Sequence, residues 1–172
     1  RLDLSMSPEI LRKQLHQKWR NGLNKAEKYD IHLEAGTNDQ LIRRVIEDYE
    51  QDLSEKGYET SVTPELLSQL QDHLPDDHKL WAIQGRDKNT LLGSILIARY
   101  GKICEYLTGV MKPAGRKMNI GQLLLWQAVV QMRNQGYEWF DLGGVDSKRS
   151  PQGILKFKIG LGGMPYRFSQ EL

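Results

Sequence analysis

One apolar segment, residues 120–135, restricts the possible folds of this chain more than any other feature. If it forms a helix, apolar side chains occupy most of its circumference, and only Gln122, Gln127, Gln131 and the last residues are polar. A surface helix carries a single apolar stripe, so a helix that is apolar nearly all round must be covered on several sides. The sequence therefore predicts a helix that packs against a sheet and beneath a further element.

Three extended segments, residues 80–84, 91–100 and 103–108, provide the strands for that sheet. Short polar turns join them, which is typical of an antiparallel meander. The segment at 91–100 is almost continuously apolar, so we expect its strand to be central and covered on both faces.

The rest of the chain supplies helices and further strands. Ser7-Pro8 begins a helix that is predicted to reach Ala26, and two more are predicted from Asn38 to Gly57 and from Thr63 to Pro75. The pattern also predicts strands at 1–4, 31–35 and 137–142, a loop at 112–119, a short helix at 151–160, and a last loop and strand at 162–168. This order predicts an α+β fold with a mostly antiparallel sheet flanked by helices.

Length and composition exclude several functional classes. A chain of 172 residues is expected to form a single domain, or one of two similar halves of a longer protein. The single Cys104 excludes an internal disulfide and a cysteine metal cluster, and it fits the cytoplasm. No apolar run is long enough to span a membrane, and no histidine spacing predicts a metal site.

One face of the first predicted helix is strongly basic. Two interpretations stay open: a solvated surface, or a surface for a phosphate-rich partner such as tRNA or a nucleotide. The basic residues are Arg12, Lys13, Lys18, Arg20, Lys25 and Lys28.

The segment entering the apolar helix is a first candidate for ligand binding, and a plain helix-entry loop is the alternative. A helix N-terminus presents free N–H groups that hold anions, and a glycine there permits close approach. The residues are similar to the pyrophosphate-binding signature of GNAT N-acyltransferases, Gln/Arg-x-x-Gly-x-Gly/Ala, although Asn119 replaces its first glycine. The candidate residues are Arg116, Lys117, Asn119 and Gly121.

The corner that follows the strand at 137–142 is a second candidate. Asp141 lies in an apolar context before Gly143 and Gly144, either as a hydrogen-bonding anchor for the turn or as a catalytic base. The next loop is polar and positive through Ser147, Lys148 and Arg149.

The short helix after this loop carries Phe157 and Lys158. Adjacent helical residues point about 100° apart, so one can pack while the other faces a cleft. There Lys158 could hold an oxyanion or a phosphate, or simply be exposed. No nucleophile constellation is present, so an enzyme of this sequence would act by positioning substrates and stabilising charge.

Several motifs resemble the Fem-type (FemABX) peptidoglycan-bridge aminoacyltransferases. Residues 121–126 resemble the family's "llw.a" helix, residues 136–144 its "Gy..fDlgG" strand, and residues 153–158 its "g…FK..fg" segment. The N-terminal helix, with Lys18-Trp-Arg20, is similar to the "kwR..l.kA.k" helix of the family.

The resemblance implies a GNAT-like fold, with this chain matching the C-terminal of two such domains. It implies transfer of an amino acid from aminoacyl-tRNA to an amine of a peptidoglycan precursor, the muramyl peptide, without a cofactor. It further implies that Phe157 meets the aminoacyl-RNA end and that Lys158 stabilises the transition state.

Two alternatives remain open from the sequence. The helix entry favours a GNAT enzyme that uses acetyl-CoA, and a GNAT-like domain that binds a partner without catalysis is the other. The sequence does not fix the transferred group, the acceptor or the oligomeric state.

Overall fold

The computed structural model describes residues 1–57, 60–144 and 152–166. The strands are β1 (Leu2–Asp3), β2 (His32–Gly36), β3 (Trp81–Asp87), β4 (Thr90–Tyr100), β5 (Ile103–Met111) and β6 (Trp139–Asp141). The helices are α1 (Pro8–Gln14), α2 (Gln17–Ala26), α3 (Asp39–Lys56), α4 (Pro64–His73), α5 (Pro113–Lys117), α6 (Ile120–Asn134) and α7 (Gln152–Gly160).

The strands form one sheet in the order β1-β6-β5-β4-β3-β2. Neighbouring strands are antiparallel except β5 and β6, which are parallel. One hydrophobic core joins α1, α2 and α6 to one face of the sheet, and a second core joins α3 and α4 to the other face. The predicted α+β architecture with a mostly antiparallel sheet is confirmed.

β4 is central, as predicted. It pairs with β3 and β5, and residues 92–97 are all buried. Ile95 and Ile97 belong to the core beneath α6, whereas Leu96 belongs to the core beneath α3. Burial on both faces explains why this strand is almost continuously apolar.

The apolar helix is α6, and it is covered on several sides. It packs against β3, β4 and β5, and α2 lies against it as well. Residues 123–126, which together turn through a full circle, are all buried. Among the described residues, no helix combines the length and apolar character needed to cross a membrane.

The single helix predicted from Ser7 to Ala26 is wrong, because the chain forms two helices there. Ser7 caps α1 as expected, but Leu15 leaves helical geometry with ψ 134° and is buried. The next residue, His16, donates its backbone N–H to the Gly160 carbonyl at 2.9 Å. The break therefore serves a tertiary contact with α7 that no local pattern shows.

The predicted loop at 112–119 is also wrong, since it contains α5. Gly115 in this helix packs against β4 so closely that an added Cβ would lie 2.0 Å from the Leu92 carbonyl oxygen. Two strand ends also differ from the prediction. β3 and β4 extend into the predicted turn, so that only Lys88 and Asn89 remain between them. β6 is shorter than the predicted strand at 137–142. Residues 161–166 contain no strand, and the remainder of the predicted last strand lies outside the described residues.

Residues from the two ends of the chain meet beside β1. The Arg1 amino group donates to the Met164 carbonyl at 2.8 Å, and the Met164 N–H donates to the Arg1 carbonyl at 2.8 Å. The segment after α7 is thereby fixed along the free edge of β1.

Burial of α6 on several sides leads to a stability prediction. Leu124→Ala and Leu125→Ala alter neighbouring side chains that are 0% and 1% exposed, and each is expected to cost about 2–5 kcal/mol in the free energy of unfolding. Urea denaturation measures this cost. Asn134→Ala, at the exposed end of the helix, is the control, and its free energy of unfolding should differ from that of the wild type by no more than about 0.5 kcal/mol. A helix covered on one side only would tolerate one of the two leucine substitutions.

Candidate active site

The candidate site lies where β5 and β6 separate. Their parallel pairing runs from Ile103 opposite Trp139 to Glu105 opposite Asp141, and there it ends. Beyond this point β5 continues to Met111, while the segment after β6 enters the glycine turn at 142–144. Two strands that part in this way leave backbone groups of β5 without a strand neighbour on that side.

Asp141 holds the glycine turn. Its Oδ1 accepts a hydrogen bond from the Gly143 N–H at 2.8 Å, and Gly143 has a positive φ of 70° that favours glycine. Its Oδ2 accepts from the Tyr166 hydroxyl, and this contact raises the pKa of Tyr166 to about 12. With both oxygens engaged, the geometry fits an anchoring Asp141 better than a catalytic base.

Lys158 reaches this turn from α7. Its Nζ donates to the Gly144 carbonyl at 3.1 Å and lies 5.9 Å from the centre of the Tyr106 ring. The side chain is partly buried, and burial lowers the pKa of Lys158, opposed by the negative charges of Asp141 and Glu105. A partly desolvated ammonium group is therefore fixed beside the point where the strands separate.

Phe157 points elsewhere and packs into an aromatic pair. Its ring centre is 5.8 Å from that of Trp19, and the Trp19 indole N–H donates to the Phe157 carbonyl at 3.1 Å. The neighbouring Gly160 is buried against the same indole. Phe157 thus joins α7 to α2, while Lys158 faces the strand ends, a divergence expected from helical geometry.

A groove of about 530 Å³ lies between α2, the start of α6, and α7. Trp19 and Phe157 contribute aromatic surface to it, and Lys18 and Lys156 contribute exposed positive charge. The remaining lining residues are His16, Gln122, Gly153, Ile159 and Gly160. Basic and aromatic side chains in one groove suit a ligand that carries both phosphates and flat rings.

The start of α6 is arranged differently from the sequence expectation. Asn119 adopts a left-handed conformation before the helix, and Arg116 and Lys117 are exposed, with Arg116 Nε donating to the Met111 carbonyl at 3.0 Å. Gly121 is covered, because a Cβ there would lie 3.4 Å from the Phe157 ring. The close approach at Gly121 is therefore made by Phe157.

Lys148, with its neighbours Ser147 and Arg149, lies outside the described residues. The predicted roles of the candidate side chains, at both the corner and the helix entry, stay predictions. What the structure brings together at the corner is Asp141, Gly143, Gly144 and Lys158.

Sequence reasoning missed several contributors to the corner. Tyr106 and Glu105 lie on β5, and Trp19 lies on α2, 138 residues from its hydrogen-bond partner Phe157. The sequence pointed to Trp19 only within the Lys18-Trp-Arg20 motif, with no predicted contact to Phe157. Alternation along β5 indicates a strand, but not which of its side chains stand next to α7.

Nucleophilic and metal chemistry have no support in the described part of the chain. Cys104 is buried, and burial raises the pKa of its thiol to about 12, which disfavours the reactive thiolate. Among the described residues, no group of three or more His, Cys, Asp or Glu side chains could hold a metal ion.

Comparison with known proteins identifies the fold. A family model described as an acetyltransferase (GNAT) domain matches residues 11–158. No curated protein matches the chain in sequence.

Among solved structures, FemX is similar with a TM-score of 0.76 and 12% sequence identity. The match covers 93% of this chain and 57% of FemX, so the chain spans little more than half of that protein. The similarity to a Fem-type fold that the motifs predicted is confirmed.

Acetyltransferase structures are also similar. A ribosomal-protein-alanine N-acetyltransferase from Brucella melitensis biovar Abortus 2308 aligns with a TM-score of 0.57 at 11% identity over 83% of this chain and 97% of its own. A predicted acetyltransferase with acetyl-CoA from Clostridium acetobutylicum aligns with a TM-score of 0.55 at 14% identity over 83% and 93%. At such low sequence identities, these structural matches show that the chain shares the fold of these proteins and nothing more.

Contact between α7 and Trp19 leads to a prediction with a matched control in the same helix. An added Cβ at Gly160 would lie 2.7 Å from Trp19 Cδ1, so Gly160→Ala must displace α7 or the indole, and we expect a loss of about 1–3 kcal/mol in stability. At Gly153 nothing lies within 4 Å of the added Cβ, so Gly153→Ala should be neutral or slightly stabilising. Thermal unfolding of the two variants tests this difference, and equal melting temperatures would contradict the packing described.

Proposed function

This chain belongs to the acetyltransferase (GNAT) domain family, and on that premise we propose that it is an N-acyltransferase of the Fem type. In this proposal it transfers an amino acid from aminoacyl-tRNA to an amine of a peptidoglycan precursor peptide in the cytoplasm, without a cofactor. The observation that carries the proposal is the fixed Lys158 ammonium at the separation of β5 and β6, on the helix that also carries Phe157.

The reaction places a specific demand on that ammonium group. The acceptor amine attacks the ester carbonyl carbon, an N–C bond forms, and negative charge develops on the carbonyl oxygen. When the tetrahedral intermediate collapses, the C–O ester bond breaks, the amine loses its proton, and the ribose hydroxyl leaves protonated. Lys158 stabilises the oxyanion, and its partial burial strengthens the attraction relative to bulk water.

The groove between α2 and α7 supports an RNA donor. Phosphates of the acceptor end would meet Lys18 and Lys156, and a base would contact the exposed part of Phe157 beside Trp19. Phe157 does not stand free as a stacking platform, because it packs against Trp19. Its proposed contact with RNA is therefore through the edge that lines the groove.

One residue of the basic face predicted from the sequence, Lys18, lines this groove. Arg12 is occupied, since it donates to Glu27 and Asn24 and joins α1 to α2. Lys13, Lys18, Lys25 and Lys28 are exposed and form no ion pair within the described part of the chain. These lysines are available to phosphates.

A second candidate, transfer from acetyl-CoA, is favoured by the acetyltransferase structures that align over nearly their whole length. Against it stands the start of α6, where the Phe157 ring covers Gly121. Titration separates the donors: we expect saturable binding of a tRNA that carries an amide-linked amino acid, and little binding of acetyl-CoA. Binding of acetyl-CoA alone would replace the Fem-type proposal, and binding of neither would favour a domain that only binds a partner.

Removal of the Lys158 ammonium is expected to abolish most of the transfer. Lys158→Ala and Lys158→Met should lower kcat by about 10²–10³-fold with the fold intact, because the oxyanion loses its charged partner. Steady-state transfer of a radiolabelled amino acid measures the loss. Lys102→Ala, at an exposed turn lysine, is the matched control, and full activity of the Lys158 variants would refute the assignment.

The pKa of Lys158 also sets a pH dependence. Burial lowers this pKa below the ordinary lysine value of 10.5, and the ammonium form exists only below it. Transfer by the wild type should therefore decline as pH rises through a value lower than 10.5, and the Lys158→Met variant should lack that decline. A pH–rate profile of both proteins tests this prediction. If the variant shows the same decline at high pH as the wild type, the decline belongs to a group other than Lys158.

Charge reversal on α2 tests the RNA surface. Lys18 and Lys25 are separated by two helical turns and share a face, so Lys18→Glu with Lys25→Glu should weaken binding of charged tRNA. The slope of log K against log salt should fall by about one unit for each lost phosphate contact. The double reversal of Lys88 and Lys102 changes net charge equally at distant turns, and an equal effect there would show that no localised surface exists.

A further inference from the structure

Tyr106 occupies a special position on β5. It is the first residue after the last pair with β6, Glu105 opposite Asp141. On its other side the register with β4 shifts, since Leu96 pairs with Thr108 but Ile97 pairs with Tyr106, which leaves Leu107 as an extra residue. A bulge of this kind bends the strand and redirects a side chain. Tyr106 is thus fixed to β4 at the point where β5 leaves β6.

The phenol of Tyr106 has a place prepared for it on the α6 face of the sheet. An added Cβ at Gly109 would lie 2.7 Å from the Tyr106 hydroxyl oxygen and 2.8 Å from Ile95 Cγ2. The missing side chain at Gly109 therefore provides the room that the phenol occupies. The ring packs against the core and is partly buried.

The hydroxyl of Tyr106 has no structural use in the described part of the chain. Among residues 1–57, 60–144 and 152–166 it forms no hydrogen bond, although the ring is well packed. Burial raises the pKa of Tyr106 far above the physiological range, so the group stays protonated and can donate. The ring that carries this protonated hydroxyl lies 5.9 Å, centre to Nζ, from the Lys158 ammonium group.

We propose that Tyr106 is a further catalytic residue, whose hydroxyl donates a hydrogen bond to the oxyanion of the tetrahedral intermediate together with Lys158. Lys158 Nζ donates to Gly144 in the glycine turn and lies 5.9 Å from the centre of the Tyr106 ring, so the two side chains are neighbours at the point where β5 leaves β6. No proton changes place in this step; the hydroxyl only stabilises the charge that forms on the carbonyl oxygen. The inference rests on the proposed acyl transfer, but it holds for an aminoacyl-tRNA donor and for an acetyl-CoA donor alike.

Tyr106→Phe is the decisive variant. It should lower kcat about 10²-fold with little change in KM, because the lost hydrogen bond forms in the transition state. Its melting temperature should equal or exceed that of the wild type, since the hydroxyl has no partner to lose among the described residues. A structural role would give the opposite pattern, with lower stability and kcat unchanged.

Two further measurements make the test specific. The double variant Tyr106→Phe with Lys158→Met should lose less than the product of the single losses, because both donors act on one oxygen. The alkaline limb of the pH profile should be the same in Tyr106→Phe as in the wild type, since that limb belongs to Lys158. Gly109→Ala, which removes the space for the phenol, should reproduce the loss of kcat.

The outcomes distinguish this inference from the function on which it rests. A wild-type chain that transfers an acyl group from neither donor would overturn both. An active wild type together with a fully active Tyr106→Phe variant would overturn the role of Tyr106 alone. Strictly multiplicative losses in the double variant would assign Tyr106 to a different step from Lys158 and overturn the shared oxyanion.

Discussion

The short parallel contact between β5 and β6 is the constraint on which the rest of the corner depends. Only three residue pairs join the two strands, and the strands diverge after Glu105 and Asp141. Among the described residues, β5 then has no strand on that side, so its backbone groups and the facing side chains are left to a ligand or to α7. Lys158 enters from α7 at this opening. A longer parallel ladder would close the gap and remove the place where charge can be stabilised.

A second constraint is the way in which α7 is held. Phe157 and Gly160 both contact Trp19, and the Trp19 indole donates to the Phe157 carbonyl. These contacts fix the rotation of α7 about its own axis. Because neighbouring helical positions diverge by about 100°, fixing Phe157 against α2 also fixes the direction of Lys158. The aromatic pair therefore contributes to function through orientation as well as through its own surface in the groove.

The sequence predicts the elements of this fold better than it predicts their contacts. The apolar circumference of α6 and the continuous apolar run of β4 report burial directly, because each side chain must match its own environment. The break at Leu15 and the short helix α5 escaped prediction, since both depend on contacts with distant residues, Gly160 and Leu92.

The same limit applies to the candidate site. Phe157 and Lys158 could be selected from the sequence because a motif resemblance and their adjacency pointed to them. Gly121 was interpreted as space for a ligand, whereas a ring 36 residues further along the chain covers it. Tyr106 went unnoticed because its position depends on a bulge in β5 and on the empty space above Gly109, and neither leaves a periodic signal.

The reciprocal hydrogen bonds between Arg1 and Met164 have a consequence for the order in which the molecule assembles. They join residues 163 positions apart, and the contact of Trp19 with Phe157 spans 138 positions, so both close very large loops. The meander of β3, β4 and β5 forms from near neighbours and can be complete before either loop closes. Because these loops are long, we expect the contacts of α7 to form after the meander and to open more readily than the sheet.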